Sequence, residues 1–173
     1  MSSLHAITVL GHDRPGIIAE TTRVLAGLGL NLEDSTMTLL RGHFAMMLLC
    51  RGDRPAAEIE ESLASLTADG TLDVAVREVA DEPEPAAVGP SYVLTVHGGD
   101  RPGIVSAAVA EVARAGGNIT DLTTRLAGEL YLLVAEVDLP ETADVQALRG
   151  ALQEAASSLG VGVSLREVES DEL

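Results

Sequence analysis

Apolar and polar positions along the chain change period several times, and each change marks an element. Leu4 to Leu10 is a short apolar run with β-branched residues, a strand signal. Gly11-His12-Asp13-Arg14-Pro15-Gly16 breaks that run. Asp13 is placed to cap a helix, and Pro15 to stand in its first turn, where a missing N–H costs nothing. Ile17, Ile18, Thr21, Val24, Leu25 and Leu28 then fall on one helical face, and Gly27 and Gly29 predict where it ends. Leu32 to Leu40 alternates in part and reads as a strand. Arg41-Gly42-His43 turns the chain into another strand, Phe44 to Cys50. Pro55 opens a second helix carrying Ile59, Leu63 and Leu66 on one face, and Leu72 to Val79 is a fourth strand.

The whole series then recurs. Asp13-Arg14-Pro15-Gly16-Ile17 returns as Asp100-Arg101-Pro102-Gly103-Ile104, 87 residues later. At the same offset, 14 of the 33 positions from Ile7 to Leu39 are identical without a gap; chance would give about two. The chain is a duplication. Its second copy predicts elements at Ser91–His97, Pro102–Ala115, Ile119–Leu126, Leu130–Leu139, Thr142–Leu159 and Val161–Val168. Between the copies, residues 81–90 hold three Pro and three acids with no apolar period, which reads as a linker. The expected division is a first domain at 1–80, a linker at 81–90 and a second domain at 91–173. An 80-residue unit is marginal alone, so each is expected to pack on the other or on another chain.

The order βαββαβ, with right-handed crossovers, predicts an α+β fold in each copy: an antiparallel four-stranded sheet with two helices on one face, the ferredoxin-like sandwich. Phe44 to Cys50 is apolar at every position, and Leu130 to Ala135 nearly so. A sheet with one wet face should alternate, so the face away from the helices is expected to meet a second sheet, from the other copy or another chain.

Composition narrows the function. The 11 basic residues, all Arg, stand against 27 acidic ones, a net charge of −16. That balance argues against direct nucleic-acid binding and against anionic membrane surfaces. The absence of Lys excludes Schiff-base chemistry and a phosphate-loop Lys. Cys50 is the one cysteine, which excludes an internal disulfide or a cysteine-built zinc site. The four histidines lack metal-ligand spacing, and there is neither a nucleophile elbow nor a paired His/Glu metal motif. No catalysis, metal or cofactor is expected. With no signal-like start and no apolar run of membrane length, the expected location is cytoplasmic.

The candidate chemistry lies in the two loops after the first strands. Gly11 to Ile17 and Gly98 to Ile104 each join a strand to a helix N-terminus, where free N–H groups and the helix dipole favour an anion. Gly16 and Gly103 let a carboxylate approach the N–H groups of Ile17 and Ile104. Asn31 and Asn118 open the second strands, expected beside the first, and offer amide donors and acceptors. Asp13 or Asp34, and in the second copy Asp100 or Asp121, can accept from an ammonium group. Carboxylate at one end and ammonium at the other describe an α-amino acid. A few charge-assisted bonds of about 1.5–3 kcal/mol each, less the cost of association, suggest micromolar to millimolar affinity. The same residues also suit a bare strand-to-helix turn.

Strand, Gly-x-Asp-Arg-Pro-Gly-Ile-[Ile/Val], then a helix closing on Gly-x-Asn-[Leu/Ile]-x-Asp, resembles the ACT domain, here in two copies over nearly the whole chain. The resemblance implies ferredoxin-like regulatory modules that bind amino acids or other small effectors, with no catalytic half. A stand-alone tandem pair with Asn31-Leu32-Glu33-Asp34-Ser35-x-Met37 and Phe44-Ala45-Met46 is similar to the glycine cleavage system transcriptional repressor group. That likeness implies action through a partner protein; a homodimer is also expected. By resemblance to the serine-binding regulatory domain of phosphoglycerate dehydrogenase, ligand groups fall at Gly11, Asp13 and Asn31 and at Gly98, Asp100 and Asn118. This chain has Gly where that domain has His and Asp where it has Asn. An acid there suits an ammonium better than a carboxylate.

Overall fold

The period changes become strands and helices in the predicted order. A computed structural model describes residues 1–83 and 89–169. The chain divides into two compact units, Met1–Pro83 and Glu84–Leu173. In the first unit the order is β1 (Ser3–His12), α1 (Ile17–Gly27), β2 (Asn31–Leu40), β3 (His43–Gly52), α2 (Ala56–Ser62), α3 (Ala64–Thr67) and β4 (Leu72–Val79). In the second it is β5 (Ser91–Gly99), α4 (Ile104–Arg114), β6 (Asn118–Ala127), β7 (Leu130–Asp138), α5 (Val145–Leu159) and β8 (Gly162–Glu167). The sheets run β2-β3-β1-β4 and β6-β7-β5-β8, with every neighbouring pair antiparallel. Each is the ferredoxin-like α+β sandwich. The middle of the predicted linker and the end of the acidic tail, Asp171-Glu172, lie outside the described residues.

Each core forms where the apolar face of one sheet meets its helices. Ile7, Val9, Phe44, Met46, Leu48 and Cys50 pack with Ile17, Leu25, Ile59, Leu63 and Leu66. Leu94, Val96, Leu133, Ala135 and Val137 pack with Ile104, Val112, Leu148 and Leu152. Aliphatic and sulfur side chains do nearly all of this, with Phe44 and Tyr92 the buried aromatics.

Glycine closes the first helix of each unit. In α1 the Gly29 N–H donates to the Ala26 carbonyl and Leu30 N–H to Leu25, with Gly29 left-handed at φ 76°. Gly116 and Gly117 repeat those bonds to Ala113 and Val112. This six-to-one, five-to-two pattern satisfies carbonyls that a helix end leaves orphaned.

Three local expectations change. Helix α1 begins at Ile17 on Gly16, with no side chain capping it, so Asp13 is not its cap and Pro15 lies before its first turn. Asp13 stands three residues ahead of the capping position, too early for its carboxylate to reach the N–H groups within the turn. The second helix of the first unit is split, because Leu63 adopts φ −90°, ψ 5° between α2 and α3. Its counterpart α5 is a single helix that starts at Val145, where Asp144 accepts from the Ala147 N–H at 3.0 Å.

The third strands bury one face. Phe44, Met46, Leu48 and Cys50 are buried, whereas Met47, from the other face, is 45% exposed. On β7, Leu133, Ala135 and Val137 are buried while Leu130 and Leu132 stand exposed. The second sheet expected over these faces is therefore not supplied within either unit.

His5 is the unusual core residue. It is fully buried beside Cys50, and neither ring nitrogen has a hydrogen-bond partner. The matching position in the second unit is Tyr92. A buried, unpaired polar group carries its desolvation cost uncompensated. His5→Leu is expected to raise unfolding free energy by about 1 kcal/mol. Urea denaturation measures it, and a loss of stability would show that the imidazole has a partner.

Candidate functional site

The loop after β1 is fixed from two sides. The Gly11 backbone runs so close to the start of β4 that a Cβ there would lie 2.1 Å from the Thr71 carbonyl oxygen. The His12 N–H donates to that carbonyl at 2.9 Å. The Asp13 N–H donates to the Gly42 carbonyl at 2.9 Å, which ties the loop to the turn between β2 and β3. Thr71 is itself held by Asp69, whose carboxylate accepts from the Thr71 N–H at 2.9 Å and its hydroxyl at 2.7 Å. Those bonds, the hydroxyl's first, hold the Asp69 carboxyl below its ordinary value. The Asp69-Gly70-Thr71 turn pattern was the sequence signal for this support, an Asx turn.

The second loop repeats the geometry. Gly98 has φ 155° and its missing Cβ would press on Val161. The Asp100 N–H donates to the Glu129 carbonyl at 3.1 Å, the position equivalent to Gly42.

Both helices start on a left-handed glycine, Gly16 at φ 90° and Gly103 at φ 91°. The first intrahelical bonds go to their carbonyls, from Glu20 and Ala107. The N–H groups of Ile17, Ile18 and Ala19, and of Ile104, Val105 and Ser106, have no acceptor among the described residues. No side chain caps either turn. Each loop thus presents a glycine-fronted helix N-terminus with three unclaimed N–H groups, an arrangement that suits a carboxylate or phosphate; Glu20 stands in the first turn of α1, and no acid in that of α4. Asp13 and Asp100 stand exposed beside them with no salt bridge among the described residues.

The motif arginines differ between the two loops: Arg14 meets the first turn of its own helix, and Arg101 reaches the end of α5. Arg14 is part-buried and reaches Glu20 at 3.5 Å, while its Nε is buried without a partner. Arg101 lies by Gly160, the left-handed residue that ends α5. A guanidinium there complements the negative end of the helix.

Asn31 and Asn118 are elsewhere. Gly11 pairs with Phe44 on β3, but Asn31 pairs with Arg51, at the other end of that strand. Seven residues of strand separate them, about 23 Å. Gly98 and Asn118 are divided the same way, opposite Tyr131 and Asp138 on β7. The reason is topological. Helix α1 carries the chain back to the start of β1, and β3 takes the place beside β1 where β2 was expected. Asp34 and Asp121 lie between these extremes, exposed on edge strands opposite Leu49 and Glu136. Within one unit, then, Gly11, Asp13, Gly16 and Ile17 come together, as do Gly98, Asp100, Gly103 and Ile104. The asparagines and the second acids do not join them.

Two sandwiches of this kind, each opening its first helix on an uncapped glycine turn, make a tandem pair of ferredoxin-like modules. Among the described residues no three His, Cys, Asp or Glu side chains gather as metal ligands, and no helix is long and apolar enough to cross a membrane. The chain belongs to the ACT domain family, whose model matches residues 5–77 and 91–166. Over 97% of its length it is 28% identical to the glycine cleavage system transcriptional repressor of Escherichia coli, covering 93% of that protein. A UPF0237 protein of Methanopyrus kandleri is 44% identical over 74 residues, 41% of this chain and 82% of that one. A single copy therefore exists as nearly the whole of another protein. The crystal structure of an unknown protein from Galdieria sulphuraria superposes with a TM-score of 0.80 at 29% identity, covering 98% of this chain and 100% of that one.

The two loop glycines separate steric need from conformational need. Gly16→Ala meets nothing within 4 Å but must hold a left-handed φ, a cost of about 1 kcal/mol. Gly11→Ala must also push β1 off Thr71, which raises the cost to about 2–3 kcal/mol. Chemical denaturation of both variants checks the order; equal losses would contradict the close approach at Gly11.

Proposed function

We propose that this protein is a non-catalytic, cytoplasmic regulator that binds a small effector at the loops after β1 and β5 and acts through a partner protein. The effector class is an α-amino acid. The observation that carries the reading is the pair of matched helix starts, Gly16 and Gly103, each with three unclaimed N–H groups and a free aspartate alongside. The amides suit the effector's carboxylate, and Asp13 or Asp100 suits its ammonium group. Membership of the ACT family and likeness to a transcriptional repressor support regulation of amino-acid metabolism. The net charge of −16 supports action through a protein, not through direct contact with nucleic acid. The protein is read as a homodimer.

Because a unit's loop and its own asparagine stand about 23 Å apart, they do not share one ligand. Each loop binds alone or with residues from outside its unit. Asn31 and Asn118 remain in the proposed set on the second footing.

The second reading, a ligand-free interaction scaffold on the same fold, is favoured by the exposed Met47, Leu130 and Leu132 on the helix-free sheet faces. A thermal-shift screen against the twenty amino acids separates the two. A ligand that binds only the native state raises Tm with the logarithm of its concentration over Kd. One selective stabiliser at micromolar to millimolar concentration is expected, weakened at least tenfold in the combined Asp13→Ala and Asp100→Ala variant. No shift at millimolar concentration would leave the loops as turns and favour the scaffold.

A further inference from the structure

The four histidines are scattered in sequence, but the first sheet brings two of them together. His12 ends β1 and His43 opens β3, and the register sets them directly opposite each other. Residues opposite in an antiparallel pair share a face. Here it is the face away from the helices, since the neighbours Gly11 and Phe44 belong to the core side. Leu10 and Ala45 are the next pair along it. Both histidines are exposed, and neither makes an ion pair among the described residues.

The backbone bonds around the pair show how close it stands. The Asp13 N–H donates at 2.9 Å to the carbonyl of Gly42, the residue opposite it, so those two occupy a hydrogen-bonded position of the ladder. Such positions alternate with non-hydrogen-bonded ones, and His12 and His43 fall on the latter. The His12 N–H accordingly turns away from β3, to the Thr71 carbonyl at 2.9 Å. At a non-hydrogen-bonded position the Cα atoms lie about 4.5 Å apart and the side chains come closest. Both backbones are held there. His12 sits between the close pass of Gly11 and the tie of Asp13. His43 follows a two-residue turn with Arg41 at φ 50° and Gly42 at φ 84°, the left-handed pair of a tight I′ hairpin.

Two imidazoles so placed can both reach one ion at the roughly 2.0–2.1 Å of a zinc–nitrogen bond. The flanking side chains Leu10, Leu40 and Ala45 offer no ligand, so water completes the coordination. That agrees with the absence of a three-ligand cluster among the described residues. Imidazole suits zinc, nickel and copper, whereas magnesium and calcium take oxygen ligands. The net charge of −16 favours the approach of any cation. In the second unit Gly99 and Leu130 hold the equivalent places, so the pair belongs to the first unit alone.

We propose that His12 and His43 form a surface site for one late first-row divalent ion, zinc, nickel or copper, on the helix-free face beside the loop after β1. The ion bridges the end of β1 to the start of β3. It uses neither the loop amides nor Asp13, so the site is independent of the amino-acid reading.

Isothermal titration of the full chain with zinc chloride, and separately with nickel chloride, tests it. Amino acids are left out, and excess magnesium is present to occupy the carboxylates. One ion per chain is expected to bind at micromolar concentration. His12→Ala and His43→Ala should each weaken that binding at least tenfold, while His97→Ala leaves it unchanged. Circular dichroism confirms that all the variants fold. No binding of either ion at millimolar concentration would overturn the site. Binding that survives both His12→Ala and His43→Ala would also overturn it and place the ion on the acids. Loss in only one of those two variants would overturn the shared ligation.

Discussion

The antiparallel pairing of β1 with β3, and of β5 with β7, is the constraint on which everything else in each unit hangs. It puts the first and third strands at the centre of the sheet, where Ile7, Val9, Leu48 and Cys50 meet the helices with almost no exposure. It also decides where chemistry can gather. The loop that leaves β1 and the residue that opens β2 are joined by one helix, yet that helix carries the chain the full length of the sheet. Residues eighteen apart in sequence, Asp13 and Asn31, end at opposite poles. Any ligand site inside one unit is therefore confined to a single pole, and at the loop pole of the first unit the groups around the helix start are backbone amides, Asp13 and the Arg14–Glu20 pair.

Duplication makes the two units near-replicas at that pole and unequal elsewhere. Gly16 and Gly103 differ by one degree in φ, and the loop ties to Gly42 and Glu129 are equivalent. Conformation has been kept where the amides must point outward. The divergence falls on the second helix, split at Leu63 in one unit and continuous as α5 in the other, and on the edge strands, where Thr38 is replaced by Arg125.

Much of this was legible in the sequence, for identifiable reasons. The 87-residue repeat fixed the duplication, and the switch between two- and 3.6-residue periods located each strand and helix to within a few residues. The glycine-rich loop was visible because only glycine tolerates the left-handed start at Gly16 and the close pass at Gly11. What sequence could not supply was strand order in space. Asn31 was expected beside the loop because β2 follows α1, whereas the sheet interposes β3. Asp13 looked like a helix cap because its residue type fits, but capping depends on being one residue before the helix, and Gly16 holds that place. The split at Leu63 had no counterpart in the apolar period, since Ile59, Leu63 and Leu66 stay on one face across it. The Asp69-Gly70-Thr71 turn is a local pattern, but its contact with the loop after β1 joins the two ends of the unit, which no local pattern encodes.

The account stands or falls on whether a small ligand reaches the unclaimed amides at the two helix starts. The most direct measurement is an NMR titration of the amide-labelled protein with the amino acid that raises its Tm most. The amides of Ile17, Ile18 and Ala19, with Ile104, Val105 and Ser106, should shift together and saturate with one affinity per loop. Amides that stay fixed there while the protein binds the ligand elsewhere would contradict the account.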